Sequence, residues 1–322
     1  MDPSEARELE ESMRAFEAAL APPEVVLPEP VLRRVVLALD GSNQDPLSEE
    51  LAAAVAARTG ASLHVVYAYP GEAAEPARER YREERAAQLA ARGLAVSTGP
   101  RPAGAEPFAQ LLAALEEGGE LLVACAPYLE DFGALGHQSL GSAVEVLLQR
   151  SPVPLLLARD PERPPAELWR EFLLPLVFAG PEHASAAGWA LRLAPPQSGL
   201  RLLLVADTEL LGSATHLLGD FVAQQALDDE VLKQLERKEH AGLIAACQKA
   251  CAARGLGCRV SVRTGELAQV VAELGNAEPR VLVVAAPADP RSTAYQQALA
   301  LLREAANPVL CVPHRHSGTA AS

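Results

Sequence analysis

Aromatic residues are scarce in this 322-residue chain, at 4%, with only two tryptophans and two methionines. Its cores must therefore be built from Ala, Leu and Val, and a hydrophobic fraction of 49% is enough for two of them. Basic residues are also short: 28 Lys and Arg against 42 Asp and Glu leave a net charge of −14. That balance argues against broad contact with nucleic acid or an anionic membrane, although a local basic pocket for a phosphate remains allowed. No apolar run reaches the roughly 18 residues of a membrane span. Met1–Glu11 lacks the basic-then-apolar order of a secretory signal. The five cysteines are odd in number and unpatterned. A cytoplasmic protein without a disulfide framework is the expectation. Gly-x4-Gly-Lys-Ser/Thr, Gly-x-Gly-x2-Gly, Cys-x2-Cys and His-Glu-x2-His are all missing, and no nucleophile stands beside a base. Neither a metal site nor an enzyme is expected.

The chain does contain a duplication. Arg92-Gly93-Leu94 followed by Thr98-Gly99 recurs as Arg254-Gly255-Leu256 followed by Thr264-Gly265. Leu121–Pro127 recurs as Val281–Pro287, and Pro154–Leu157 as Pro308–Cys311. Three landmarks in one order define a repeated unit of roughly 140–150 residues, one domain each.

Within the first repeat, short apolar runs alternate with helical segments. Val35–Leu39, Leu63–Ala68, Leu94–Thr98, Leu121–Cys125 and Leu155–Ala158 read as strands. Leu47–Thr59, Glu75–Arg92, Pro107–Glu117 and Ser142–Arg150 read as helices. The second repeat gives strands at Leu173–Phe178, Leu200–Ala206, Cys258–Arg263, Val281–Ala285 and Val309–Val312, with helices at Ala184–Leu193, Leu267–Leu274 and Thr293–Ala305. An insertion-like stretch, Asp207–Gly242, runs into a helix ending near Ala253. The expected fold is α/β: two tandem doubly wound domains, each a five-stranded mostly parallel sheet with helices on both faces. The expected divisions are a helical prefix over 1–30, domains over 31–160 and 172–313, a linker over 161–171 and a tail over 314–322. Leu9, Met13, Phe16 and Leu20 fall at helical spacing, and a helix there is expected to pack on its own domain.

Doubly wound sheets bind ligands beyond the carboxyl ends of their strands, where the strand order reverses. In the first repeat that edge offers Asp40-Gly41-Ser42 and Leu140-Gly141-Ser142. Asp40 can accept hydrogen bonds from a base or ribose, Gly141 permits close backbone approach, and Ser142 opens a helix whose free amides attract phosphate. Each piece also serves as an ordinary turn or cap. Cys247, Cys251 and Cys258 lie close in sequence and are expected to pack as small apolar residues. His314 and His316 are expected to be solvated; His137 is expected to be an exposed loop residue, with a ligand contact as the alternative; and one face of Asp228–Glu239 is expected to be solvated, with partner docking as the alternative.

Together these pieces resemble the universal stress protein family, over nearly all of residues 33–160. They are Val35–Ser42, Leu63–Val66, Thr98-Gly99, Leu121–Val123, Leu140–Glu145 and Ser151–Leu157. Residues 172–313 resemble it more faintly. The resemblance implies the adenine nucleotide alpha hydrolase-like fold, domains that associate through their last strands, and ATP or another adenine nucleotide in the first domain. It carries Asp40 onto the family's base-binding position, Val65 onto an apolar residue packed on adenine, and Gly141 and Ser142 onto the end of the phosphate loop. The candidate contacts are Asp40, Gly41, Ser42, Val65, Gly141, Ser142 and Ala143.

The chain departs from the family at the first two loop glycines. Counting back from Gly141 puts Tyr128 and Asp131 there; counting forward from the strand puts Cys125 and Tyr128 there. An intact and an altered phosphate loop both stay open. In the second repeat Ala179-Gly180-Pro181 replaces Asp40-Gly41-Ser42, and Pro287 to Pro308 spans 21 positions where Pro127 to Pro154 spans 27. That domain is expected to bind no nucleotide. The functional expectation is a stress-response regulatory protein with one adenine-nucleotide site. The alternative is a nucleotide-independent scaffold with both sites decayed, and a slow ATPase is the weaker third. An intrachain pseudo-dimer is expected, with further self-association and a protein partner left open.

Overall fold

The computed structural model describes residues 25–71, 75–99, 104–130, 139–176, 180–207, 234 and 237–314. The first half contributes β1 (Arg34–Leu39), α1 (Asp45–Thr59), β2 (Ser62–Tyr67), α2 (Pro76–Ala91), β3 (Val96–Thr98), α3 (Pro107–Glu116), β4 (Leu121–Cys125), α4 (Ser142–Arg150) and β5 (Leu155–Ala158). After a short helix α5 (Pro165–Leu168) come β6 (Glu171–Leu176), α6 (Glu182–Leu193), β7 (Gly199–Asp207), α7 (Ala241–Arg254), β8 (Gly257–Gly265), α8 (Leu267–Asn276), β9 (Val281–Ala286), α9 (Thr293–Glu304) and β10 (Val309–Pro313).

The ten strands form one sheet in the order β3-β2-β1-β4-β5-β10-β9-β6-β7-β8. Each half runs 3-2-1-4-5 in its own numbering, so the strand order reverses between β1 and β4, and again between β6 and β9. Pairing within each half is parallel. The halves join through antiparallel β5 and β10, with Leu156 opposite Leu310.

Strand alternation sends Val35, Leu37, Leu39 and Val65 into a layer with α1, α2, α6 and α7. Val36, Ala38 and Val66 go into the opposite layer with α3, α4, α8 and α9. Both cores run through both halves. Helix starts follow local chemistry: α1, α2 and α3 each carry a proline in the first turn, where the missing N–H is no loss.

Two details differ from the sequence expectation. The expected linker contains α5, because Pro164-Pro165 presets a helical first turn. β3 begins at Val96, two residues late. The end of the prefix lies against both halves: Pro28 abuts Gly188 of α6, where any Cβ would fall 2.2 Å from the Pro28 carbonyl, and Val26 and Pro28 line one cavity with Glu120 and Pro154. Glu29 pairs with Arg254 of α7 at 2.9 Å. The expected helix over 9–20 lies outside the described residues, as do most of 207–242, Asp131, His137 and His316.

Candidate functional site

At the carboxyl end of β1 the chain turns through Asp40, Gly41 and Ser42 into α1. Gly41 has φ +81°, and a Cβ there would lie 2.3 Å from the Tyr67 hydroxyl, which donates to the Asp40 carbonyl. Glycine is thus required by the turn itself. The Ser42 hydroxyl accepts from the Gln44 amide at 3.2 Å, holding the entry to α1.

The Asp40 side chain is buried, with 7% exposure. Its Oδ1 accepts from the Ser42 amide at 2.8 Å. Its Oδ2 accepts from the Leu129 amide at 2.6 Å and from the Cys125 thiol at 3.0 Å. Burial first, and the Asp40 charge next, raise the Cys125 thiol well above its ordinary pKa, so it remains a protonated donor. The carboxylate that the resemblance offers to a base is therefore engaged by the chain's own donors.

The segment after β4 supplies the rest of the filling. Tyr128 is 1% exposed, and its ring lies in the α3/α4 layer. The phenol donates to the Leu39 carbonyl at 2.7 Å and accepts from the Ala68 amide at 3.2 Å, bridging the ends of β1 and β2. Leu129 follows with φ +60°, an uncommon conformation for a branched side chain. Glu130 then accepts from the Ser142 amide at 3.4 Å, placing a carboxylate oxygen at the N-terminus of α4. Helix N-termini favour anions, so Glu130 stands where a phosphate would be attracted. At Gly141, with φ +76°, a Cβ would be strained and crowded, lying 3.1 Å from Pro127 Cβ and 3.2 Å from the Tyr128 nitrogen.

Asp40, Gly41, Ser42, Gly141 and Ser142 thus meet at one sheet edge, linked by residues 127–130. Ala143 is buried in α4. Val65 is fully buried among Leu37, Leu39 and Leu63, in the layer opposite the Tyr128 ring. The side chain that shares the Tyr128 layer is Val66.

Two groups that sequence reading passed over complete the site. Arg159, at the end of β5, has no exposure. Its guanidinium donates to the carbonyls of Ala126 at 2.9 Å, Ser139 at 3.0 Å and Ala305 at 3.0 Å. Burial lowers its pKa to about 10, still protonated at neutral pH. The Gln44 side chain bonds the Arg159 carbonyl at 2.6 Å. Asp45 is the second. It accepts from the amides of Asp40 at 3.1 Å and Gly41 at 2.8 Å and from the Tyr81 hydroxyl at 3.0 Å. Asp40, Asp45 and Cys125 each place one ligand-type atom within 4.8 Å of the others, the one such cluster among the described residues.

Burial, and then the Asp40 charge, push the Asp45 pKa up to about 7. The fold therefore holds a proton that the unfolded chain releases near pH 3.8. Asp45 contributes stability that declines as pH rises from about 4 to about 7, on the order of 2–4 kcal/mol across the window. Asp45→Asn is expected to remove that slope. Urea unfolding of the two proteins between pH 4.5 and 8 checks this: wild type should lose ground to the variant as pH rises, and parallel curves would contradict the assignment.

At the equivalent edge of the second half, a cavity of about 360 Å3 is lined by Val25 and Val26 of the prefix with Gly180, Pro181, His240 and Leu243. Burial lowers His183, beside His240, to a pKa of about 4. Ala179, the counterpart of Asp40, lies outside the described residues.

No family model matches the sequence, and no curated protein matches it. Solved structures do. A universal stress protein from Archaeoglobus fulgidus is similar over 87% of this chain and 96% of its own, at 13% identity and a TM-score of 0.56. The alignment thus runs through both halves and shows a shared fold. A universal stress protein in complex with cAMP matches 40% of this chain and 97% of its own at 26% identity and a TM-score of 0.31. UspA from Lactobacillus plantarum matches 45% and 98% at 18% identity and a TM-score of 0.32. No helix among the described residues is long and apolar enough to cross a membrane.

Proposed function

We propose that this chain, built on the universal stress protein fold, is a regulatory interaction module that works without a bound nucleotide. One observation carries the reading: the chain's own residues 128–130 fill the crevice and engage the groups that the resemblance offers to an adenine nucleotide. Tyr128 bridges Leu39 and Ala68, Leu129 caps Asp40, and Glu130 supplies the anion at the Ser142 amide. The fold then serves as a rigid double scaffold that presents its outer helices and edge strands to a protein partner. A cytoplasmic, stress-related role and a lack of ATPase activity belong to this same proposal.

A second reading is favoured by the location of these residues. Asp40 and Gly141-Ser142 do share one edge, so an adenine nucleotide that displaced residues 128–130 would meet a carboxylate and a helix N-terminus. The two readings differ in a thermal-shift series. A ligand that binds only the folded chain at 100 times its Kd adds about 2.7 kcal/mol, several degrees of melting temperature. The expected result is no shift with millimolar ATP, ADP, AMP or cAMP. A saturable rise, lost in Asp40→Ala, would establish the second reading.

A further inference from the structure

Three of the five cysteines gather in one corner of the second half, away from the crevice. Cys247 and Cys251 lie one turn apart on the inner face of α7, both buried. Cys258 lies on β8, the outermost strand of the sheet, and is partly exposed. The chain between them is short and fixed. Gly255 closes α7 in the left-handed conformation at φ +67°, and the Leu256 amide returns to the Cys251 carbonyl at 2.9 Å. This turn folds the start of β8 back over the last turn of α7. As a result Cys258 packs against the same core layer that holds Cys251 and Cys247. Cys125 and Cys311, by contrast, are fully buried in the first-half core and at the junction strand.

We propose that Cys251 and Cys258 form a reversible disulfide when a hydroperoxide oxidises Cys258. The neighbouring Cys251 thiol lowers the Cys258 pKa, while Cys258 and then burial raise that of Cys251. Cys258 is thus both the more exposed and the more nucleophilic thiol. Its sulfur attacks the peroxide: an S–O bond forms, the O–O bond breaks, and the departing hydroxide takes a proton to leave as water. Cys258 is then a sulfenic acid. The Cys251 sulfur attacks it, forming S–S and breaking S–O, and the second hydroxide leaves with the Cys251 proton as water. Two thiols and one hydrogen peroxide give one disulfide and two waters, and a dithiol reductant restores the starting state. The bond would tie the edge strand to α7, covalently pinning an exposed flank of the sheet.

The sequence makes the test clean. Lys249, Arg254 and Arg259 put Cys247, Cys251 and Cys258 on three different tryptic peptides. The full-length protein is treated with hydrogen peroxide, the peroxide is removed, and the chain is unfolded in urea, alkylated with N-ethylmaleimide and mapped with and without dithiothreitol. Two of the five thiols should become resistant to alkylation. Residues 250–254 should be recovered linked to residues 255–259, and reductant should abolish the link. Cys258→Ser should abolish it as well, whereas Cys247→Ser should leave it. Five alkylatable thiols after treatment, a link through Cys247, or Cys258 ending as sulfinic or sulfonic acid without a link would each overturn the proposal. The wild-type map alone decides this, whatever the variants do to folding.

Discussion

Arg159→Leu is expected to lower the stability of the whole chain by about 3–5 kcal/mol, read by urea unfolding, with both halves unfolding in the same transition. The residue is fully buried and its guanidinium holds four carbonyls from three separate places: Ala126 after β4, Ser139 before α4, and Arg303 and Ala305 at the end of α9. Leucine fills much of the volume but leaves those buried carbonyls without this donor. Arg159→Lys keeps the charge, yet one ammonium cannot span the same fork, so an intermediate loss is expected. The Ala305 contact belongs to the second half, so the residue also ties the halves together beside the β5–β10 seam. A loss below about 1 kcal/mol for the leucine variant would mean that the carbonyls find other partners.

Tyr128→Ala is the second large effect. Removing a fully buried ring costs about 3–5 kcal/mol through lost burial and the cavity left behind. It also frees the Leu39 carbonyl and the Ala68 amide at the ends of β1 and β2. If the ring is what closes the crevice, the vacated space should accept a small planar ligand with its own donor and acceptor. Millimolar phenol or adenosine is then expected to raise the melting temperature of Tyr128→Ala while leaving wild type unchanged. Equal shifts in both proteins, or none in either, would mean that the ring is core packing and nothing more.

The course of the strands could be read almost residue by residue. β4, β5 and β9 are unbroken apolar runs because strands covered on both faces need no polar alternation. That same uniformity hid the phase of the alternation. Val65 and Val66 look alike in sequence, yet they face opposite layers. Asp40 and Gly141 could be placed at one edge from topology alone, since each ends or begins an element at the carboxyl side of the sheet. What fills the space between them could not. Tyr128 reads as an ordinary loop aromatic until the fold brings it under β1 and β2. Arg159 reads as a charged residue closing a strand, and such residues are usually exposed. Its burial follows from a carbonyl cluster drawn from three distant segments. Asp45 hides likewise behind a helix start, where an acidic residue is commonplace.

The account rests on the chain's own residues occupying the first-half crevice. Crystals of the full-length protein grown in the presence of millimolar ATP and magnesium test this most directly. The account predicts the Tyr128 phenol still bonded to Leu39 and Ala68, the Leu129 amide still on Asp40, and no density for a base. An adenine ring in that position, with Tyr128 swung clear and phosphates at the Ser142 amide in place of Glu130, would contradict it.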